Sequence, residues 1–201
     1  MSADSSSSRR RFLSGAAGAA ASLWVPRPVK GYTAAEMRTM AVDDVVQAGV
    51  SKWDLDTPAL VVDLDVMERN VQAMQAAVTR YGTPSRPHGK THKTAAIAKY
   101  QLATGSVGIS AAKLGEAEAF AAAGIDRIMM TTANLSVNKV RRAMQLRKTH
   151  PAFIQAVDDA RNARDLSAAA REAGVVADVV IDVAVGTRSG IPAGDDALAL
   201  A

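Results

Sequence analysis

The stretch FIQAVDDARNARDLSAAAREAGVVADVVIDV, residues 153–183, contains one complete strand–helix–strand repeat. Its apolar start, residues 153–157, predicts a strand, and residues 159–173 predict a helix that ends at Gly174. The apolar run 175–183 predicts a second strand. A helix between two short strands that are apolar on both faces is typical of a parallel βαβ unit.

The same alternation extends back along the chain to Thr57. Further strands are predicted at residues 59–62, in a segment that ends near His88, at 107–109 and at 127–130. The helices predicted between them cover residues 65–81 with Asp65 as cap, 94–104, 114–123 and 137–148. This pattern fits a Rossmann-type sheet or a (β/α)8 barrel, and no Gly-x-Gly-x-x-Gly follows the first strand. Because a barrel needs ~250 residues, we expect an α/β fold, the N-terminal portion of a parallel (β/α)8 TIM-type barrel.

Composition and charge exclude several classes of function. The chain has no Cys, which excludes disulfides, Cys-ligated metals and thiol nucleophiles. The formal net charge is +4. Residues 1–30 carry this whole excess, and the remainder is neutral. Nucleic-acid binding by the folded part is therefore not predicted.

The N-terminus has the pattern of an export signal. The run Ser8-Arg9-Arg10-Arg11-Phe12-Leu13 resembles the bacterial twin-arginine motif and opens an apolar stretch, residues 12–24. That stretch is shorter than the ~20 residues that span a bilayer. We therefore predict a twin-arginine (Tat) signal segment at 1–30, recognised by the Tat export machinery, and a periplasmic location. A linker at 31–56 and the partial barrel at 57–201 follow.

The segment with the most candidate catalytic side chains is RPHGKTHK, residues 86–93. Lys90 follows a predicted strand end, and in parallel α/β folds those ends form the active-site face. A lysine there, partly removed from water and near other cations, favours the unprotonated amine that attacks an aldehyde. His88 and His92 have the spacing of zinc ligands on a helix, but Pro87 and Gly89 argue against a helix, so no metal is predicted. From the residues alone, Lys90 is either a Schiff-base lysine or a surface lysine.

Three strings resemble one enzyme family: DTPALVVD (56–63), RPHGKTHK (86–93) and AKLGEAE (112–118). In order and spacing they are similar to D-threonine aldolases and D-serine dehydratases. These are fold-type III pyridoxal-phosphate (PLP) enzymes with a barrel like the N-terminal domain of alanine racemase. The resemblance covers residues 54–190 and implies that Lys90 forms the Schiff base with PLP. It also implies that His88 lies close to the cofactor ring and that Arg188 approaches the cofactor's phenolic oxygen.

The resemblance implies a PLP-dependent lyase that acts on D-3-hydroxy amino acids, with the freed Lys90 as a base. Aldol cleavage, dehydration and racemisation all remain open. The resembling lyases bind a divalent metal in a C-terminal β domain, whose ligands we expect to lie beyond Ala201, and they are commonly homodimers. We therefore expect the 201-residue chain alone to be inactive. The alternatives are a non-enzymatic PLP-binding homeostasis protein and a periplasmic solute-binding protein without a cofactor.

Overall fold

The computed structural model describes residues 30–42, 45–46, 50–186 and 189–201. These residues belong to two compact units that divide between Val61 and Val62. The predicted signal segment, except for Lys30, lies outside the described residues. Within the described ranges, no helix is long and apolar enough to cross a membrane.

The first unit consists of short elements. They are helix α1 (Ala34–Thr39), the antiparallel strands β1 (Ala41–Val42) and β2 (Val45–Val46), and a 3-10 turn (Lys52–Asp54). Thr33 begins α1 with a capping box, in which its hydroxyl accepts the Glu36 N–H and the Glu36 carboxylate accepts the Thr33 N–H at 2.8 Å. The predicted linker 31–56 therefore has secondary structure of its own.

The predicted first strand, residues 59–62, is not a strand in the structure. Leu60 is fully exposed, and Val61 and Val62 are more than half exposed. A strand needs a neighbour whose backbone groups pair with its own, and no strand in the described part of the chain pairs with this run. An apolar run alone was therefore not enough to form a strand, and the prediction of a strand at residues 59–62 was wrong.

The second unit alternates helices and parallel strands. Strands β3 (Ile109–Ala111), β4 (Ile128–Met130), β5 (Ile154–Val157) and β6 (Asp178–Ile181) form one parallel sheet in this order. The helices are α2 (Leu64–Arg80), α3 (Ala95–Ala103), α4 (Leu114–Ala122), α5 (Val137–Thr149) and α6 (Ala160–Ala173). A parallel pair, β7 (Val183–Ala184) and β8 (Ile191–Pro192), and helix α7 (Asp195–Leu200) follow. The predicted α/β fold, a portion of a TIM-type barrel, is confirmed.

Helix boundaries follow local capping chemistry. Asp63, not the predicted Asp65, caps α2, because its Oδ1 accepts the Val66 N–H at 3.0 Å. The helix therefore begins at Leu64 and takes Asp65 into its first turn. Asp159 caps α6 in the same way, and Gly174 ends it in the left-handed conformation, φ 69°, as predicted.

The core lies between the sheet and helices α4, α5 and α6. Its largest fully buried members include Phe153, Ile109, Ile128, Met130, Met144 and Leu166. Burial of each such side chain stabilises the fold by about 1.5–3 kcal/mol relative to exposure. This packing fixes the strands whose carboxyl ends form the candidate site.

Residues 85–88 extend the sheet beside β3. Ser85 O accepts the Val107 N–H at 2.9 Å, Pro87 O accepts the Ser110 N–H at 2.7 Å, and His88 bridges Ser110 in parallel. Pro87 has no N–H to donate, so the ladder stays short. The predicted strand that ends near His88 is present in this reduced form, and it places His88 at the carboxyl edge of the sheet.

Candidate functional site

Lys90 lies on a tight turn directly after that edge. The turn is the 3-10 segment Gly89–Thr91, which closes when Gly89 O accepts the Lys93 N–H at 2.7 Å. Lys93 adopts a left-handed φ of 53°, which is uncommon for a residue with a side chain and reverses the chain towards α3.

The Lys90 side chain is exposed, and it forms no ion pair with any described acidic residue. The expected partial removal of Lys90 from water is therefore not found, because the described residues leave this edge of the sheet open. No carboxylate of the described residues competes for its amine.

The turn rests on the core through Gly89. A Cβ atom at Gly89 would overlap the ring of Phe120 in α4 and lie 3.3 Å from Ser110 O. Phe120 itself is only 4% exposed and has little room to move. Only glycine therefore lets the turn lie this close to α4 and β3.

His88 connects this turn to the next strand ends. Its Nδ1 accepts the Lys90 backbone N–H at 3.3 Å, and its Nε2 lies 3.1 Å from Thr131 Oγ1. Burial and then the charge of Lys90 lower the pKa of His88, while the Glu116 carboxylate opposes the shift. The Lys90 ammonium and the Glu116 carboxylate are therefore both close enough to His88 to act on it.

Thr131 and Glu116 were missed by sequence reasoning. Ala111 O accepts both the Thr131 N–H at 2.9 Å and its hydroxyl at 3.2 Å, so the loop after β4 is tied to the end of β3. Glu116 Oε2 accepts the Ala112 N–H at 2.9 Å and holds the loop after β3. Both residues directly follow a predicted strand or lie in a quoted family string, and that position could have identified them.

His92 belongs to a separate contact. Its Nδ1 accepts the Thr94 N–H at 3.2 Å. Burial lowers the pKa of His92, while the Gln101 side chain and the Thr94 amide oppose the shift. His92 Nε2 and Gln101 Oε1 are both buried without a well-directed hydrogen-bond partner in the described structure, although Gln101 is near enough to affect the ring. The two histidines therefore brace different parts of the motif.

Arg86 has a structural position at the other end of the segment. Its Nη1 donates to Arg127 O at 3.3 Å, and its guanidinium covers Gly108. Burial and then the charge of Arg127 lower the pKa of Arg86. Arg188, the third predicted site residue, lies outside the described residues, and its role stays a prediction.

A cleft of about 580 Å³ opens at the carboxyl ends of β3 and β4. The basic residues that line it are Lys93, Lys113, Lys139 and Arg142. Arg142 is paired with Glu118, whereas the three lysines form no ion pair within the described ranges. Glu116 is the acidic residue of this lining, so basic side chains outnumber acidic ones in the cleft.

The family model described as alanine racemase, N-terminal domain, matches residues 62–201. The chain belongs to the alanine racemase N-terminal domain family. A 3-hydroxy-D-aspartate aldolase of Paracoccus denitrificans is 37% identical over 145 residues, 71% of this chain and 38% of that protein. A D-threo-3-hydroxyaspartate dehydratase of Delftia sp. (strain HT23) is 39% identical over 148 residues, 73% of this chain and 39% of that protein.

The fold agrees with these relatives. The crystal structure of D-threonine aldolase from Filomicrobium marinum superposes with a TM-score of 0.71 and 39% identity, over 73% of this chain and 40% of that one. The resemblance to fold-type III PLP enzymes of the D-threonine aldolase type is thereby confirmed. This member of the alanine racemase N-terminal domain family spans about two fifths of the length of the curated relatives it matches.

Proposed function

We propose that this protein is a PLP-dependent lyase that acts on D-3-hydroxy amino acids, with Lys90 as its Schiff-base lysine. One observation carries the proposal. Lys90 presents an exposed amine, with no ion pair to any described acidic residue, on a turn directly after the carboxyl edge of a parallel sheet. In α/β folds that edge is where ligands bind.

The residues at this edge fit a lysine-linked cofactor. PLP supplies an electron sink for the substrate when bound. The Lys90 amine would hold its aldehyde carbon and, once the substrate has displaced it, accept a proton at Nζ. Burial and the charge of Lys90 lower the pKa of His88, whose Nδ1 accepts the backbone N–H of Lys90 at 3.3 Å. Arg188 is proposed to approach the phenolic oxygen.

The named relatives favour a lyase over a racemase. Two of them are called 3-hydroxy-D-aspartate aldolase and D-threo-3-hydroxyaspartate dehydratase, names for cleavage and dehydration of D-3-hydroxy amino acids. Both reactions begin from the same lysine-bound cofactor, so the proposal covers both.

Borohydride trapping tests the lysine. The 201-residue chain is incubated with PLP, reduced, digested and examined by mass spectrometry. We expect the pyridoxyl group on the Lys90 peptide, and no labelling there in Lys90→Ala. Lys99→Ala, an exposed lysine on α3, is the matched control and should label like wild type. Labelling spread equally over exposed lysines would refute the assignment.

Turnover is tested on a version of the protein as long as its relatives. We expect D-threonine or 3-hydroxy-D-aspartate to be consumed and Lys90→Ala to be inactive, while the 201-residue chain shows no turnover. We also propose a divalent metal requirement, on the family resemblance, and chelation followed by metal addition tests it. Racemisation without cleavage or dehydration would contradict the lyase proposal.

We further propose that residues 1–30 direct Tat-dependent export to the periplasm, supported by the run from Ser8 to Leu13. A reporter fused behind these residues should reach the periplasm, and Arg9→Lys/Arg10→Lys should retain it in the cytoplasm. A homodimer is proposed on the resemblance alone, and light scattering of the long version measures it.

A further inference from the structure

We propose that His88 and Thr131 act together as positioning residues that hold the main chain of Lys90 at the carboxyl edge of the sheet. The inference deepens the proposed function and rests on the role given there to Lys90. A continuous chain of hydrogen bonds carries it. It runs from the Lys90 N–H to His88 Nδ1 at 3.3 Å, from His88 Nε2 to Thr131 Oγ1 at 3.1 Å, and from that hydroxyl to Ala111 O at 3.2 Å.

The chemistry of the donors fixes the direction of every bond in this chain. A backbone N–H only donates, so Nδ1 of His88 must be the unprotonated, accepting nitrogen. The neutral ring then carries its hydrogen at Nε2 and donates it to Thr131 Oγ1. The Thr131 hydroxyl in turn donates a hydrogen bond to Ala111 O, so each donor of the chain has one acceptor.

This arrangement defines what His88 does. Both ring nitrogens are occupied, so neither is free to exchange a proton with a substrate, and only the ring face is left for a cofactor. A protonated ring would point Nδ1–H at the Lys90 N–H and break the contact. His88 therefore acts through the Lys90 backbone.

The anchor of the chain is rigid. Ala111 is completely buried in β3, and its carbonyl accepts both the backbone N–H and the hydroxyl of Thr131. Gly89 seats the turn on Phe120 at the same edge. The chain of hydrogen bonds thus joins three consecutive strand ends, at His88, Ala111 and Thr131. It fixes the position of the Lys90 main chain, from which the side chain extends.

Imidazole ¹⁵N NMR of the 201-residue chain tests the bond directions without a cofactor. Only three histidines are present, so single substitutions at His92 and His150 assign the signals. We expect His88 as the neutral Nε2–H tautomer with a pKa below the usual 6.5. Thr131→Val should shift the Nε2 signal, while Thr131→Ser should keep it. An Nδ1–H tautomer, or a Nε2 signal indifferent to Thr131→Val, would overturn the chain.

The rate of borohydride-trapped PLP labelling at Lys90 tests the positioning. Loss of a hydrogen bond should slow labelling in Thr131→Val by about five- to tenfold, and Thr131→Ser should restore it. His88→Asn tests the same positioning role with a second variant. The Asn side chain can still accept a hydrogen bond from the Lys90 N–H, but it is too short to reach Thr131. Equal rates in wild type and folded Thr131→Val would overturn the positioning role. Absence of Lys90 labelling in wild type would instead contradict the proposed function. The NMR experiment tests the hydrogen bonds independently of that outcome.

Discussion

The residue between His88 and Lys90 is a glycine, Gly89, because the turn that carries them lies directly on the ring of Phe120. No helix or strand pattern encodes that contact, since Phe120 comes from α4, well along the chain. At the scale of single residues, the motif is therefore a set of fitted contacts with the core as well as a set of reactive groups.

Gly89→Ala tests this fit. The added methyl group must displace the buried Phe120 ring, and such overpacking costs about 1–3 kcal/mol in the free energy of unfolding. Gly115→Ala is the matched control, because its Cβ would meet nothing within 4 Å and alanine favours the helix. Urea unfolding of both variants measures the difference. Equal stability of the two would show that the turn does not rest on Phe120.

The two histidines of the motif should make stability depend on pH. Both have folded pKa values below the ordinary 6.5, so the unfolded chain binds more protons than the folded one in the window beneath that value. The free energy of unfolding should therefore fall as the pH drops below about 6.5 and level off below the folded pKa values. Urea titrations between about pH 7 and 5 measure this slope. His88→Asn/His92→Asn should flatten it, and an unchanged slope would count against the half-buried, neutral rings.

At the scale of elements, a buried polar network holds the loop after β4. Gln155 in β5, 1% exposed, accepts Asn134 Nδ2 at 3.0 Å, and Asn162 Nδ2 in α6 donates to Asn134 O at 2.6 Å. The network joins a loop, a strand and a helix. Because that loop begins at Thr131, the network also supports the hydrogen-bond chain to Lys90.

Asn162→Ala should break this support. It leaves the buried Asn134 carbonyl without its Asn162 donor, which costs about 1–3 kcal/mol in the free energy of unfolding. Ser167→Ala is the control on the same helix, because its hydroxyl is exposed and, among the described residues, accepts only from Arg171. We expect that control to stay within about 0.5 kcal/mol of wild type in the same urea measurement. If Asn162→Ala lowers the free energy of unfolding as little as the control does, the network does not stabilise the loop.

At the scale of the whole molecule, the sheet ends on an open strand. Strand β6 pairs only with β5 in the four-stranded sheet, and its Val179 side chain is 45% exposed. An exposed apolar edge strand is a template for pairing with another chain. The 201-residue chain should therefore self-associate in a concentration-dependent way.

Val179→Lys should reduce that association, because a charge on the edge strand opposes edge-to-edge pairing. Val137→Lys places the same charge on an exposed valine of α5 and is the matched control. Sedimentation velocity at several concentrations compares the two. If both variants associate like wild type, the contact surface lies elsewhere than at β6.

The sequence by itself determined the α/β class, the order of the elements and the motif around Lys90. Helix periodicity and the stop at Gly174 are local, so residues near in sequence suffice to set them. Residues 59–62 were mispredicted because a strand depends on a partner that its own residues do not specify.

Only the tertiary structure decided the surroundings of Lys90. It brought Thr131 to His88, placed Phe120 beneath Gly89 and left the lysine exposed where burial was expected. These contacts join strand ends that are far apart in the chain. The physical reason is that the packing of the sheet against α4, α5 and α6 sets their distances, and no single segment carries that information.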